Sequence, residues 1–229
     1  MTKRLEGRLA LITGASRGLG AAVAKRFAAE GAHVILTART VGGLEEIDDE
    51  IRKAGGKATL APMDLFEPDN IDRMAASIHE RFGKLDILVS AAAQLGVLTP
   101  THHLDQKTWD RTLHLNLTVN QRLIRAYDPL LRLSPSGRAI FVTCQVASQP
   151  KAFWSVYAAS KAGLESLVKC YQLEVQKTAL GIHLIDPGPL TTNLRAEAYP
   201  GEEKGTHPYP DDPAITDLFV DHAAAPSLQ

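Results

Sequence analysis

Tyr157 and Lys161 stand four residues apart in Tyr-Ala-Ala-Ser-Lys, inside a stretch that reads as helix. On a helix that spacing sets the phenol and the ammonium on one face, one turn apart. A tyrosine alone is a poor base near neutral pH, its unperturbed pKa being ~10. A neighbouring cation favours the phenolate and lowers that pKa, which makes the pair usable for general acid/base work. Taken alone, such a pair is more commonly a surface tyrosine beside a solvated lysine. Its meaning changes with a second constellation, Leu-Ala-Leu-Ile-Thr-Gly-Ala-Ser-Arg-Gly-Leu-Gly from Leu9 to Gly20. An apolar strand, the glycines Gly14, Gly18 and Gly20, and a following helix make an anion site. The loop lets a pyrophosphate approach the backbone, and helix-terminal N–H groups meet its charge.

A third group of residues bears on which nucleotide is held. An NAD site usually places Asp or Glu at the end of the second strand, on the ribose 2′-OH. Here that position reads Ala38-Arg39-Thr40. Arg39 and Arg17 together suit a 2′-phosphate by charge and by their fork of donors. NADP(H) is the expected cofactor.

These residues require a particular frame. Apolar runs at Leu9–Ile12, His33–Ala38, Lys57–Pro62, Asp86–Val89, Arg138–Thr143 and Ile182–Asp186 read as strands. Between them Ala21–Glu30, Leu44–Lys53, Glu67–Phe82, most of Asp105–Leu133, and Ser155–Lys177 read as helices. Strict alternation of strand and helix predicts an α/β fold, a doubly wound parallel sheet flanked by helices, in a single domain over residues 1–229. The stretch Tyr199–Pro213, rich in Pro, Gly, Glu and Asp, reads as an exposed loop. With the residues before it, from 190 to 213, it is either a lid over the substrate or a disordered segment.

Composition removes several classes of function. With 229 residues and 45% hydrophobic content the chain can bury one sizeable core. A formal net charge of −1 and a pI near 6.7 offer no basic surface for nucleic acid or anionic lipid. No apolar run approaches the ~20 residues that span a bilayer, and the first strand begins too early for a signal peptide. Two cysteines, Cys144 and Cys170, make no disulfide framework. The expectation is a cytoplasmic protein. The histidines show no ligand spacing, and no metal is expected.

The chain resembles the short-chain dehydrogenase/reductase family from Leu5 to about Thr192. The resemblance is carried by Thr13-Gly14-Ala15-Ser16-Arg17-Gly18-Leu19-Gly20, by Asp64 after the third strand, and by Asn116. Tyr157, Lys161 and Pro187-Gly188 complete it. It implies a Rossmann-type domain and hydride transfer between NADP(H) and a small carbonyl or alcohol substrate. It also implies roles. Tyr157 exchanges the proton, Lys161 bonds the nicotinamide ribose, and Asn116 steadies a proton-relay water. Ser16 and Leu19 belong to the phosphate loop, and Arg39 and Thr40 flank the adenosine ribose. Asp64 and Leu65 border the adenine, Ala91 and Ala92 run beside the cofactor, and Gly188, Leu190 and Thr192 lie at its nicotinamide end.

Three departures from that family pattern stand out. The serine expected after the fifth strand falls on Gln145 counting forward from Arg138, or on Cys144 counting back from Tyr157. Gln145 is taken as the substrate-facing donor, longer and less rigid than a hydroxyl, whereas a thiol donates weakly. The family's Asn-Asn-Ala-Gly reads Ser90-Ala91-Ala92-Ala93. The C-terminal strand that closes the sheet is apparently missing, Asp217–His222 offering at most a short helix. A homodimer is expected over a tetramer, with Ala158, Ala159, Ala162 and Gly163 permitting close helix approach. The rival to an enzyme is an NADP(H)-binding sensor or assembly protein that has lost turnover.

Overall fold

The computed structural model describes residues 3–226. Strands β1 (Leu9–Thr13), β2 (His33–Thr37), β3 (Lys57–Leu60), β4 (Ile87–Ser90), β5 (Arg138–Val142) and β6 (Gly181–Ile185) form one sheet, ordered β3-β2-β1-β4-β5-β6. All five pairings are parallel, with Leu11 opposite Ile35 on one side and Leu88 on the other. Side chains alternate across a strand, so each strand must feed two cores. Leu9 and Leu11 enter one and Ala10 and Ile12 the other.

The first core lies under α3 (Pro68–Phe82), α5 (Val119–Arg132) and α6 (Ser155–Val175). The second lies under α1 (Gly18–Ala29), α2 (Val41–Lys53) and α8 (Pro213–Ala224). Between them in sequence come α4 (Gln106–Leu113) before α5 and α7 (Asn193–Ala198) after β6. Among the described residues no strand follows β6. Instead Arg138, buried in the sheet, donates to the carbonyls of Ala179 and Ala225, and Arg8 donates to that of Ala223. The two guanidinium groups thus hold the chain at the end of α8, where helix carbonyls lack partners.

The chain crosses from β3 over to β4, which lies on the other side of β1, so the carboxyl ends of β1 and β4 bound the crevice where such sheets take ligands. Three local features differ from the sequence reading, and each serves this crevice. Helix α1 begins at Gly18, inside the glycine loop, rather than at Ala21. A Cβ at Gly20 would stand 2.3 Å from the Gly14 carbonyl oxygen, so this helix start meets β1 only without a side chain. Helix α2 begins at Val41, rather than at Leu44, and includes Gly42 and Gly43. At Gly43 a Cβ would lie 3.0 Å from Ser16 Cβ, which shows how closely α2 backs the glycine loop. The long helical stretch before β5 is divided by a π turn at His114–Thr118, centred on Asn116. The C-terminal helix is longer than expected, twelve residues, and Asp212 caps it through a bond from the Ala214 N–H.

Candidate active site

One cleft of about 1290 Å³ runs along the carboxyl ends of the strands. At one end, Gly14, Ser16, Arg17, Gly18, Leu19 and Gly20 border it with Arg39 and Thr40. Next come Asp64 and Leu65, then Ala91 and Ala92. Gln145, Tyr157, Lys161, Pro187, Gly188, Leu190 and Thr192 surround the other end. Asn116, the remaining residue singled out in the sequence, lies behind this wall, fully buried.

The glycine-loop end has the donors an anion needs. Gly14 takes φ +69°, a conformation that L side chains rarely adopt. Arg17 caps α1 in extended conformation without a side-chain hydrogen bond, so the first-turn N–H groups of the helix keep their donors. A Cβ placed on Gly18 would touch only Thr192, at 3.9 Å, leaving a cradle above the loop. Arg17 and Arg39 are both exposed on the cleft, and among the described residues neither forms an ion pair. Two unpaired guanidinium groups beside a helix start suit a pyrophosphate and a second phosphate. Across the loop, the Thr13 hydroxyl accepts from the N–H groups of Ala91 (3.1 Å) and Ala92 (3.2 Å), which joins the ends of β1 and β4.

At the other end the helix spacing delivers what the sequence implied, with different electrostatics. Tyr157 is 6% exposed and Lys161 3%. The Lys161 ammonium donates to the Val142 carbonyl at 2.8 Å and sits 5.8 Å from the centre of the Tyr157 ring. Burial pushes the Tyr157 phenol well above its ordinary value, and the neighbouring Cys144 adds to this. The expected lowering by Lys161 is therefore overridden, because desolvation outweighs an ammonium that is bonded elsewhere. Burial pulls the Lys161 ammonium down.

The two positions offered for a substrate-facing donor both line this end of the cleft. Gln145 begins a short 3₁₀ turn, Gln145–Ala147. It is exposed, and its amide donates to Gln149 at 3.0 Å. Cys144 packs against the apolar cluster that holds Tyr157, and burial pushes its thiol up.

Asn116 acts through its neighbours. Its amide nitrogen donates to the Gln94 carbonyl (2.9 Å) and to Ser160 (3.0 Å), and its oxygen accepts from the Gln94 N–H (3.0 Å). Both N–H groups are committed inside the protein, so only its oxygens remain to meet a relay water. Asn120 donates to the Asn116 carbonyl (2.9 Å) and accepts from Ser90 (2.7 Å), which links β4 to the π turn. The roles of Gln94, Asn120 and Ser160 were missed in the sequence; Asn120 and Ser160 stand about one helical turn from Asn116 and Tyr157, and Gln94 carries no such clue.

The loop from 190 to 213 is folded onto itself. Thr191 donates through its N–H to Pro208 (2.9 Å) and through its hydroxyl to His207 (2.7 Å). Arg195 holds both carboxylate oxygens of Glu202, at 2.7 and 2.6 Å, and its hydrogen bonds pull that carboxyl down to about 2. The Arg195 guanidinium lies 3.8 Å over the Tyr199 ring, and Tyr199 meets Trp154 with ring centres 5.7 Å apart. Trp154 in turn stands 6.0 Å from Tyr157. Among the described residues no cluster of His, Cys, Asp and Glu could hold a metal, and no helix is long and apolar enough to cross a membrane.

Residues 8–203 match the family model of the short chain dehydrogenases. The chain is 31% identical, over 84% of its length, to 2,3-dihydro-2,3-dihydroxybenzoate dehydrogenase of Bacillus subtilis. It spans 74%, 63% and 61% of the lengths of the first three curated relatives. A short chain dehydrogenase structure from Pseudomonas syringae superposes with a TM-score of 0.94 at 33% identity, covering 97% of this chain and 91% of that one. One from Shigella flexneri 2a, complexed with NADP, gives 0.93 at 30% identity, covering 97% and 93%. By fold, glycine loop and matched family pattern alike, this chain belongs to the short-chain dehydrogenase/reductase family.

Proposed function

We propose that this chain is an NADP(H)-dependent oxidoreductase acting between a carbonyl and an alcohol, with Tyr157 as its acid. The observation that carries this reading is one continuous cleft joining two unpaired arginines at a helix start to a buried Tyr157 beside Lys161. When bound, the cofactor supplies hydride at its nicotinamide. Around it, Arg17 and Arg39 hold the 2′-phosphate, the α1 N–H groups hold the pyrophosphate, and Asp64 and Leu65 border the adenine. Lys161 keeps two N–H donors beyond its bond to Val142, enough for the nicotinamide ribose. Tyr157 gives its proton to the substrate oxygen as negative charge gathers there. The solved NADP and NADPH complexes of related dehydrogenases support the choice of cofactor.

One observation favours a second reading, an NADP(H)-binding protein without turnover: a weak thiol donor, Cys144, stands beside Tyr157. Oxidation of NADPH measured against a panel of ketones and aldehydes separates the two. Turnover that disappears in Tyr157→Phe supports the enzyme, and tight NADPH binding with no turnover supports the sensor.

The same reading includes a homodimer through α6. Of the four small residues on that helix, Ala158 is buried and Gly163 faces Leu117, where a Cβ would stand 2.9 Å from Leu117 Cδ2. Ala159 and Ala162 are exposed, with Leu173 below them at 66%. Light scattering should give a dimer that Ala162→Arg dissociates, and a stable tetramer would contradict it.

A further inference from the structure

Between Tyr157 and the loop over it lies a second set of side chains, which the family pattern leaves unassigned. Leu95, Val146 and Leu194 make an apolar pocket against Tyr157. Trp154 walls it, and Lys151 stands at its far edge. The Lys151 ammonium lies 5.8 Å over the Trp154 ring and 6.0 Å over Tyr199, and it bonds the Tyr199 hydroxyl at 3.3 Å. Among the described residues no carboxylate comes within ion-pair distance of it. The two carboxylates that α7 and the following loop bring to the cleft, Glu197 and Asp211, form no ion pair with it.

Lys151 differs in this from the other cations on the cleft wall near Tyr157. Lys161 is bonded to a main-chain carbonyl, and Arg195 is held by both oxygens of Glu202. An ammonium has three donors, and Lys151 uses one on a neutral hydroxyl. Two aromatic faces hold it in place without neutralising it. A single indole then separates a positioned, unneutralised positive charge from the phenol that delivers the proton.

Resting on the reductase reading above, we infer that the substrate is a carbonyl compound with an apolar ring body and a carboxylate, and that Lys151 is the residue that reads the carboxylate. The ring lies along Trp154 and the apolar pocket, the carbonyl meets Tyr157, and the carboxylate meets Lys151 at the rim. The charge fixes which way round the substrate enters, which a purely apolar pocket cannot do.

A matched pair of probes tests this: 4-formylbenzoate and its methyl ester, each reduced with NADPH. Hydride adds to the aldehyde carbon and a proton to its oxygen, giving the alcohol as NADPH becomes NADP⁺. In the wild type, kcat/KM for the acid should exceed that for the ester about tenfold or more, the size of one charge-assisted hydrogen bond. Lys151→Gln should bring the ratio to about one, and Lys151→Arg should keep most of it. A ratio that is the same in wild type and Lys151→Gln overturns the inference. That includes the case where both rates fall together, as they would if Lys151 only latched Tyr199. Benzoate binding, followed by quenching of tryptophan fluorescence, gives a reading that needs no turnover. Equal affinities in wild type and Lys151→Gln again overturn the anion site. Weaker binding in Lys151→Gln with no reduction of any carbonyl keeps the anion site and discards the reductase.

Discussion

A thiol is a weaker hydrogen-bond donor than a hydroxyl, and at the Tyr157 end of the cleft a thiol, that of Cys144, packs against the cluster that holds the phenol. A fixed donor aimed at a developing oxyanion is worth on the order of 2.7–4 kcal/mol in other enzymes. Cys144→Ser restores the stronger donor and should raise kcat about two- to tenfold, the range of one neutral hydrogen bond. Gln145→Ala, which removes an exposed amide bonded to Gln149, should change kcat by less than about twofold. Steady-state kinetics on the three proteins checks both, and a loss in Gln145→Ala larger than in Cys144→Ala would return the role to Gln145. The sequence left these two positions open because the two counts disagree by one residue. The 3₁₀ turn after β5, which Cys144 precedes and Gln145 begins, has no signature in Gln-Val-Ala. At the other end of the cleft the residues were plain. Arg39 stands where a carboxylate would select NAD, and it is unpaired. Arg39→Asp should weaken NADPH by about 1.5–3 kcal/mol and turn the preference toward NADH. Fluorescence titration with both cofactors measures this, and equal affinities in the wild type would refute it.

Among the elements, the π turn at His114–Thr118 shows what periodicity hides. Apolar spacing marked the segment as helix, and it is helix, but one added residue per turn rotates Asn116 toward Gln94 and Ser160. No local residue type announces such a turn. Once formed, it ties the loop after β4 to the helix carrying Tyr157 and Lys161, through a side chain fully buried. Asn116→Ala leaves the Gln94 N–H and carbonyl without partners and should cost about 1–3 kcal/mol of stability. It should lower kcat more than it raises the Kd for NADPH, because Gln94 and Tyr157 lie away from the phosphate end. Urea unfolding and NADPH titration on the same protein test the pair of effects. A variant as stable as wild type would show that the network is not holding the loop. The helix starts at Gly18 and Val41 were obscured for a related reason. Gly20 was assigned to the loop before the helix and Gly43 to no element, yet each is a point where a helix passes close to the glycine loop.

For the whole molecule, the parallel sheet and its flanking helices were the most legible part, because alternate apolar runs and helices admit few arrangements. What the sequence did not show is how distant segments are pinned across the strands' amino-terminal ends, and there the protein's response to acid is decided. Asp86 is 2% exposed just before β4, where it accepts from the Leu9 N–H (2.9 Å), Ser134 (2.5 Å) and Lys84 (2.6 Å). Burial works against its charge, but the bonds from Lys84, Ser134 and Leu9 outweigh it and hold the carboxyl below its ordinary value. His183, on β6, has a buried Nε2 without a partner among the described residues. Burial first, then His222 with its ring 4.6 Å away and Arg138, pull it from 6.5 to about 4. A histidine depressed in the folded state favours folding above its unfolded pKa and loses that contribution as pH falls through the folded value. The depressed aspartate follows the same sign at lower pH, losing its contribution below about 4. Stability should therefore decline in two stages, the first from about pH 6.5 to 4 as His183 is forced to charge, the second below that as Asp86 is protonated. The midpoint of urea unfolding by circular dichroism, taken at intervals from pH 7.5 to 3, measures the profile. His183→Leu should flatten the upper stage and leave the lower one. Asp86→Asn should lower stability at neutral pH and blunt the lower stage. A wild-type midpoint that stays level between pH 7 and 4 would show that His183 meets water or a partner when it protonates, and the account of that edge would fall.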